Sequence, residues 1–439
     1  MKDFRQSLTQ TWADARKQPA FAALYVGGVA LAIAFTMIFA MIYYVKLAPV
    51  YPEYNRGGTL YVNSVSYKDE AKNMSCMSLV GYPFFRDYLS QVENAEIVSA
   101  HVTPNASSCS FIGTVDGAKQ FEVEAKGVDP AFFELYGFRF IAGKPFDEAD
   151  LNSALPVCVI SHRMAERLFG NPEDAVGKYV DYNDVRSRVT GVVKEGSVLT
   201  PASFAQVYCP YTTVPGYDRV SPCGVPWVGS VGVSYFVKDN EQEAALRAEL
   251  NEIVRRVNAA DTTGVVSMPN PLVTHYQTAF MDSNNEEFSW MTVAKKYAVI
   301  LLVLLLVPAM NLSGMIAGRM EARLAEMGIR KSFGATRRRL LSQVLAENLY
   351  MTLAGGLLGL VVAWVMMFAN RSWIYGIMTK YSNLHVDTVT TQVSGEMLFA
   401  PAVFIATLLL CVVLNLASAL LPVWWSLRRP IVSSLNEKR

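Results

Sequence analysis

The sequence predicts a membrane protein of four transmembrane α-helices, with a large α+β extracytoplasmic domain between the first and second. Three observations predict it. Four charge-free stretches are each long enough to cross a bilayer. The short basic segments all fall on one side of those stretches. The long segment 46–296 alternates strand-like runs, turn signals and helical spacing instead of staying apolar. Composition agrees: 52% of the 439 residues are hydrophobic and only 18% charged, against about 25% charged in a soluble chain. The net charge of +1 provides no field for nucleic acid.

A bilayer core of about 30 Å takes about 20 apolar residues in a helix. The charge-free runs are Ala20 to Val45, Tyr297 to Gly318, Asn348 to Asn370 and Met397 to Leu427. They predict spans at 20–45, 297–318, 345–370 and 397–427. The first run is longer than a signal-peptide core of about 7–15 residues. It ends in Ile42-Tyr43-Tyr44-Val45-Lys46, an interfacial aromatic pair and a charge, so it reads as a retained anchor.

Basic residues mark the cytoplasmic side of short loops. The segment 1–19 holds Lys2, Arg5, Arg16 and Lys17, and the segment 319–344 holds Arg319, Arg323, Arg330, Lys331 and Arg337 to Arg339. The tail 428–439 adds Arg428, Arg429, Lys438 and Arg439, whereas the loop 371–396 carries only Arg371, Lys380, Asp387 and Glu396. Both termini are therefore expected inside. Residues 46–296 and the short loop 371–396 are expected outside, in the periplasm of a bacterial inner membrane. Trp424 and Trp425 stand where an inner aromatic belt or plain packing would put them.

Within the outer domain, Pro156 to Ser161 reads as a buried strand, and Ser161 can cap a helix His162–Phe169 that Gly170-Asn171-Pro172 ends. Val189 to Val193 reads as a second strand. Glu241 to Asn258 has helical spacing, with Leu246, Leu250, Ile253 and Val257 on one face. Five cysteines lie here: Cys76, Cys109, Cys158, Cys209 and Cys223. A periplasmic setting permits disulfides. Cys209 with Cys223, across a Pro/Gly-rich loop, and Cys76 with Cys109 are the expected pairs, and Cys158 is expected as a buried thiol.

Several function classes drop out. No Gly-x-x-x-x-Gly-Lys-Ser/Thr phosphate loop occurs; Gly170 to Gly177-Lys178-Tyr179 has the wrong spacing and no magnesium-binding hydroxyl. ATP hydrolysis by this chain is not expected. His101, His162, His275 and His385 lie far apart and outside metal-ligand spacing, so structural roles are expected and no metal site. No Gly-x-Ser-x-Gly elbow occurs, and no span carries a series of charges for an ion pathway.

Two stretches carry a family pattern. The outer one runs through Gly127-Val128-Asp129-Pro130-Ala131-Phe132-Phe133, Gly143-Lys144-Pro145-Phe146, Pro156 to Ser161, Arg167 to Gly170, Val176-Gly177-Lys178 and Val189 to Lys194. It resembles the periplasmic core domain of the MacB/FtsX family of ABC transporter permeases. The inner one, Glu326-Met327-Gly328-Ile329-Arg330-Lys331-Ser332-Phe333-Gly334-Ala335-Thr336-Arg337-Arg338, followed by Glu347 and Gly355-Gly356-Leu357-Leu358-Gly359, resembles the FtsX-type permease signature. The segment Leu421-Pro422 to Arg428-Arg429-Pro430-Ile431 is similar to the family's closing cytoplasmic segment. MacB has a fused ATPase domain that this sequence lacks, and Pro308 in the second span is a departure from many relatives.

The resemblance implies a permease subunit without cofactors of its own, since ATP and magnesium bind a separate ABC ATPase. It implies a second permease chain, identical or not, with a periplasmic adaptor and outer-membrane channel as further partners, lipid around the spans, and no nucleic acid. The function implied is mechanotransmission: ATP hydrolysis moves the outer domain to drive export or lipoprotein extraction. The alternative is an FtsX-like regulator of a periplasmic cell-wall hydrolase. A sensor receptor ranks below both, because neither inner tail is long enough for a signalling module.

Glu326, Gly328, Ile329, Arg330, Lys331, Phe333, Gly334, Ala335, Thr336 and Arg337 are the expected ATPase-coupling residues. Gly328 and Gly334 bracket a short helix, Ile329 and Phe333 anchor it, and Thr336 caps the next helix. Glu347 near the inner interface is as readily a cap as a functional group. Gly355 with Gly359, and Gly28 with Ala32, are small-residue pairs for close helix approach, either within the chain or between permeases. Pro308 and Asn311 are the expected mid-membrane bend.

Overall fold

The computed structural model describes residues 16, 19–62, 64–104, 110–219, 224–261, 263–281, 288–299, 302, 329–330, 332–370, 397 and 400–428. The chain divides into two compact units, one of helices and one spanning Val45–Ser289.

Three of the described helices are long and apolar enough to cross a membrane: Pro19–Leu47, Arg337–Ala369 and Pro401–Leu420, the last being part of a helix Pro401–Arg428. The second predicted span, 297–318, lies mostly outside the described residues; 290–299 and 302 are helical. The loop 371–396 lies outside them altogether. Two helix starts differ from the predicted span edges. Helix Arg337–Ala369 begins inside the segment expected as loop, because Thr336 caps it there. Helix Pro401–Arg428 begins at a proline, whose fixed φ and missing N–H suit a first helical position.

The unit Val45–Ser289 is α+β. Its strands form one hydrogen-bonded path from the edge Val265–Ser267 through Val65–Asp69, Met74–Val80, Val231–Phe236, Ile97–Val102 and Ala125–Val128. The path continues through Val207–Pro210, Val157–Ser161, Val185–Val193, Tyr179–Tyr182 and Ser110–Thr114 to Gln120–Val123. Most pairs are antiparallel; Val185–Val193 with Val157–Ser161 and Val207–Pro210 with Ala125–Val128 are parallel. The short strand Thr59–Tyr61 lies between Val231–Phe236 and Val273–Thr274, antiparallel to both. The stretch that follows the first helix is thus paired with the stretch that leads toward residue 290.

The expected local elements are present. Strand Val157–Ser161 is buried throughout, and the Ser161 hydroxyl accepts from Met164 N at 3.4 Å to start helix His162–Phe169. Helix Asn240–Ala260 buries Leu246, Leu250, Ile253 and Val257 in the main core, each contributing about 1.5–3 kcal/mol by the area it removes from water. The sequence Val128-Asp129-Pro130 to Phe133 now has a physical reason. Asp129 accepts from Ser99 Oγ at 2.8 Å, Ala100 N at 2.6 Å and Phe132 N at 2.9 Å. It thereby ties strand Ile97–Val102 to helix Ala131–Tyr136, which carries Phe132, Phe133 and Tyr136 into a second, aromatic core.

One of the two expected cysteine pairs needs correction. Cys76 is disulfide-bonded, with its partner outside the described residues. Cys209 is a free thiol, as is Cys158, so Cys209 and Cys223 are not joined. The reason is packing: strand Val207–Pro210 is buried on every residue, and Cys209 points into the main core beside strand Val157–Ser161 instead of toward the loop. Burial pushes the Cys209 thiol up to about 11. Mass mapping of the native chain is expected to find Cys76 in a disulfide and Cys158 and Cys209 unmodified by alkylating reagent until the domain is denatured; prompt labelling of Cys209 in the folded protein would contradict this placement.

Candidate functional site

Just ahead of helix Arg337–Ala369, residues 329–330 and 332 are helical and the helix stops at once. Phe333 N donates to Ile329 O at 3.1 Å and Ala335 N to Arg330 O at 3.0 Å, with Gly334 at φ 90°. This is a glycine-terminated helix end, and only glycine adopts that φ at no steric cost. Thr336 then accepts from Arg339 N at 3.3 Å and starts the next helix. The reversal leaves Ile329 51% and Phe333 88% exposed. Burying such a phenylalanine is worth about 1.5–3 kcal/mol to any partner that covers it. Arg330 Nη1 donates to Gln343 Oε1 at 2.9 Å, and Gln343 Nε2 to Glu347 Oε1 at 3.3 Å, with Glu347 buried. The turn is thus fastened two turns along the following helix. Ala335 is half-buried and Arg337 exposed; Glu326, Gly328 and Lys331 lie outside the described residues.

Among the helices, the two glycine pairs separate. A Cβ on Gly355 would stand 2.8 Å from Val29 Cβ, and one on Gly359 2.5 Å from Ala30 O, so this pair serves packing against helix Pro19–Leu47 within the chain. Gly28 has nothing within 4 Å of such a Cβ, and Ala32 is half-buried. Pro308 and Asn311 lie outside the described residues. A polar cluster unforeseen in the sequence joins three helices: Asn415 Nδ2 donates to Thr352 Oγ1 at 2.5 Å and to Tyr25 OH at 3.4 Å, all buried.

On the outer side, the end of helix Pro19–Leu47 meets a buried charge pair. Arg56 Nε donates to Glu53 Oε2 at 2.8 Å, and its Nη1 donates to Val45 O at 2.7 Å and Ala48 O at 2.6 Å. Arg56 is 2% and Glu53 1% exposed. Glu53 Oε1 accepts from Ser203 N at 3.0 Å and Ser203 Oγ at 2.9 Å. Burial alone would raise the Glu53 carboxyl; the Arg56 guanidinium, His275 and these hydrogen bonds outweigh it and hold the group below its ordinary value. His275 Nε2 lies 2.9 Å from Lys46 O and Nδ1 3.4 Å from Tyr61 OH. A carbonyl only accepts, so Nε2 carries the proton and Nδ1 accepts from the tyrosine. Burial holds this imidazole below its usual range and therefore neutral at pH 7. The helix-end carbonyls thus receive a cation and an N–H donor from the folded domain, as the negative end of a helix favours.

Sequence reading missed Glu53, Arg56 and Ser203 and gave His275 only a general structural role. The available signal was the opposite-charge pair Glu53 and Arg56 at i,i+3 just beyond the first apolar run; nothing local pointed to Ser203. Among the described residues no group of three or more His, Cys, Asp or Glu is arranged to hold a metal ion.

Two family descriptions match the chain: the MacB-like periplasmic core domain over residues 22–253 and the FtsX-like permease C-terminal region over residues 298–431. The macrolide export ATP-binding/permease protein MacB of Escherichia coli strain K12 is 25% identical over 261 residues, which are 59% of this chain and 38% of that protein. The Shigella flexneri protein of the same description gives the same figures. The chain thus matches well under half the length of these relatives. Among solved structures, the periplasmic region of MacB from Actinobacillus actinomycetemcomitans is 17% identical, covering 48% of this chain and 88% of that one with a TM-score of 0.33. The extracellular domain of the ABC-type transporter YknZ from Gram-positive bacteria is 18% identical, covering 48% and 99% with a TM-score of 0.33.

Two measurements check these placements. Gly359→Ala forces a methyl against the Ala30 carbonyl and is expected to lower the thermal midpoint and yield of the full chain in detergent, whereas Gly28→Ala leaves both unchanged. Glu53 and His275 both titrate below their ordinary values, so the stability they add is complete above those values and is lost as pH falls through the depressed ones. Asp129, raised by burial to about 7, acts in the opposite sense over the same range, so the His275 contribution is read as a difference: in unfolding of the full chain followed from pH 8 down to pH 4, the wild type is expected to lose its margin over His275→Gln below about pH 6.5.

Proposed function

The chain belongs to the MacB/FtsX family of ABC transporter permeases, and on that premise we propose that it couples ATP hydrolysis by a separate ATPase subunit to movement of its periplasmic domain. The family matches cover residues 22–253 and 298–431, and the sequence has no phosphate-binding loop of its own. The observation that carries the reading is the inner turn: an apolar pair, Ile329 and Phe333, held out by the glycine stop at Gly334 and fastened to helix Arg337–Ala369 through Arg330 and Gln343.

A partner that grips Phe333 acts on a stiff element, because packed helices move as units. With both termini inside, the turn faces the cytoplasm, where ATP is available. Two permease chains and two ATPase subunits form the complex. ATP binding and release of its products rock the helices, and the outer domain follows. The work is done on a substrate handled outside the membrane, by export of the kind for which the curated relatives are named or by extraction of a lipoprotein.

Co-purification in mild detergent with mass spectrometry tests the reading. The wild-type chain is expected to carry an ABC ATPase. Phe333→Asp removes the anchor and places a charge in its socket, and is expected to weaken the association at least about thirtyfold, equivalent to about 2 kcal/mol for a central aromatic anchor. Retention of the ATPase by this variant, or a wild-type chain that carries none, would count against the proposal.

A further inference from the structure

Where a helix leaves the membrane its last carbonyls are ordinarily satisfied by water, by a glycine turn or by a tightened last turn. Here they are taken by the folded domain. Arg56 binds Val45 O and Ala48 O, and His275 binds Lys46 O. Val45 and Lys46 are neighbours in the helix, so their carbonyls stand about 100° apart around its axis. Two bonds at different azimuths hold the helix against rolling as well as sliding, which a single capping bond does not.

Each capping group is itself held. Arg56 is fixed by Glu53, and Glu53 by the backbone and hydroxyl of Ser203. The loop around Ser203 is pinned to central strands of the sheet. Lys126 Nζ donates to Pro201 O at 2.8 Å and Ala202 O at 2.5 Å, and Tyr208 OH donates to Ser203 O at 3.0 Å. Lys126 belongs to strand Ala125–Val128 and Tyr208 to strand Val207–Pro210. His275 opens helix His275–Phe280, whose cap Thr274 lies in the strand paired with Thr59–Tyr61. The same residue that grips the first helix therefore sits on the segment that leads back toward residue 290.

We infer that Arg56, oriented by Glu53 and complemented by His275, is a positioning residue that welds the outer end of helix Pro19–Leu47 to the central sheet and makes displacement of that helix a displacement of the whole outer domain. The inference rests on the coupling function proposed above. Arginine suits the task and lysine does not. One rigid fork reaches a carboxylate and two carbonyls at once, whereas an ammonium is a single point at the end of a flexible stem. Arg56→Lys therefore keeps the charge and the pairing with Glu53 but releases the carbonyls.

The test uses the full chain with its co-purified ATPase in lipid nanodiscs, with spin labels on cysteines placed at exposed positions. Labels at Leu24 and Ser342 report on the inner helix ends; labels at Glu173 and Phe368 report the outer domain against the helices. Distances are compared without nucleotide and with ATP plus vanadate. In the wild type both pairs are expected to shift. In Arg56→Lys the inner shift and the rate of ATP hydrolysis stay within twofold of wild type while the outer shift falls to less than half. His275→Gln serves as a second, milder variant with a partial loss of the outer shift, should Arg56→Lys lower the folded yield. An outer shift undiminished in both variants overturns the role given to Arg56. A wild type whose inner pair does not respond to ATP overturns the coupling function itself, and the two failures are thereby distinct.

Discussion

Backbone carbonyls at the end of a membrane helix must find donors, and the outer unit of this protein is organised around supplying them. Arg56 and His275 both reach the last turn of helix Pro19–Leu47. Arg56 can be buried there only because Glu53 neutralises it, and Glu53 only because Ser203 and Arg56 satisfy its oxygens. A lone buried charge would cost several kcal/mol. The arrangement therefore holds as a set: removing one member leaves another stranded, and Lys126 and Tyr208 tie the loop that carries Ser203 to their strands.

The helical unit solves a different problem. Lipid gives apolar helices little reason to prefer one another over acyl chains, so close backbone approach and a few polar contacts decide the packing. Gly355 and Gly359 bring helix Arg337–Ala369 against Val29 and Ala30, and Gly356 admits Leu408 of helix Pro401–Arg428. Thr352, Asn415 and Tyr25 then hold all three helices at one level. The open face around Gly28, flanked by exposed Leu24, Leu31 and Phe35, is left for what surrounds the chain. The turn at Gly334 and the joint at Arg56 are alike in kind. Each is a stop in the chain made stiff by side chains that reach back to a helix.

Local signals were legible wherever one residue type serves one local purpose. Ser161 and Thr336 cap the helices that follow them, Gly334 stops the one before it, and the four apolar residues from Leu246 to Val257 face the core as their spacing predicts. The glycine pairs were legible as small-residue sites, but which neighbour each would meet was not, since a Gly-x-x-x-Gly pattern is the same whether the partner helix belongs to the chain or to another copy. The pairing of Cys209 with Cys223 failed for the same reason. Loop composition between Cys209 and Cys223 suggests closure, yet the direction of the Cys209 side chain follows from strand register in a sheet assembled from distant segments.

By itself the sequence determined that the chain enters a membrane, which segments are basic and where single caps and glycine stops fall, because hydropathy, charge and capping act over a few residues. The tertiary structure alone decided that Glu53, Arg56, Ser203 and His275, residues up to 222 positions apart by their numbers, converge on one helix end. Their meeting depends on long-range strand pairing and on the cost of leaving a carbonyl or a charge unsatisfied in a dry interior, and neither is written in any short stretch of the chain.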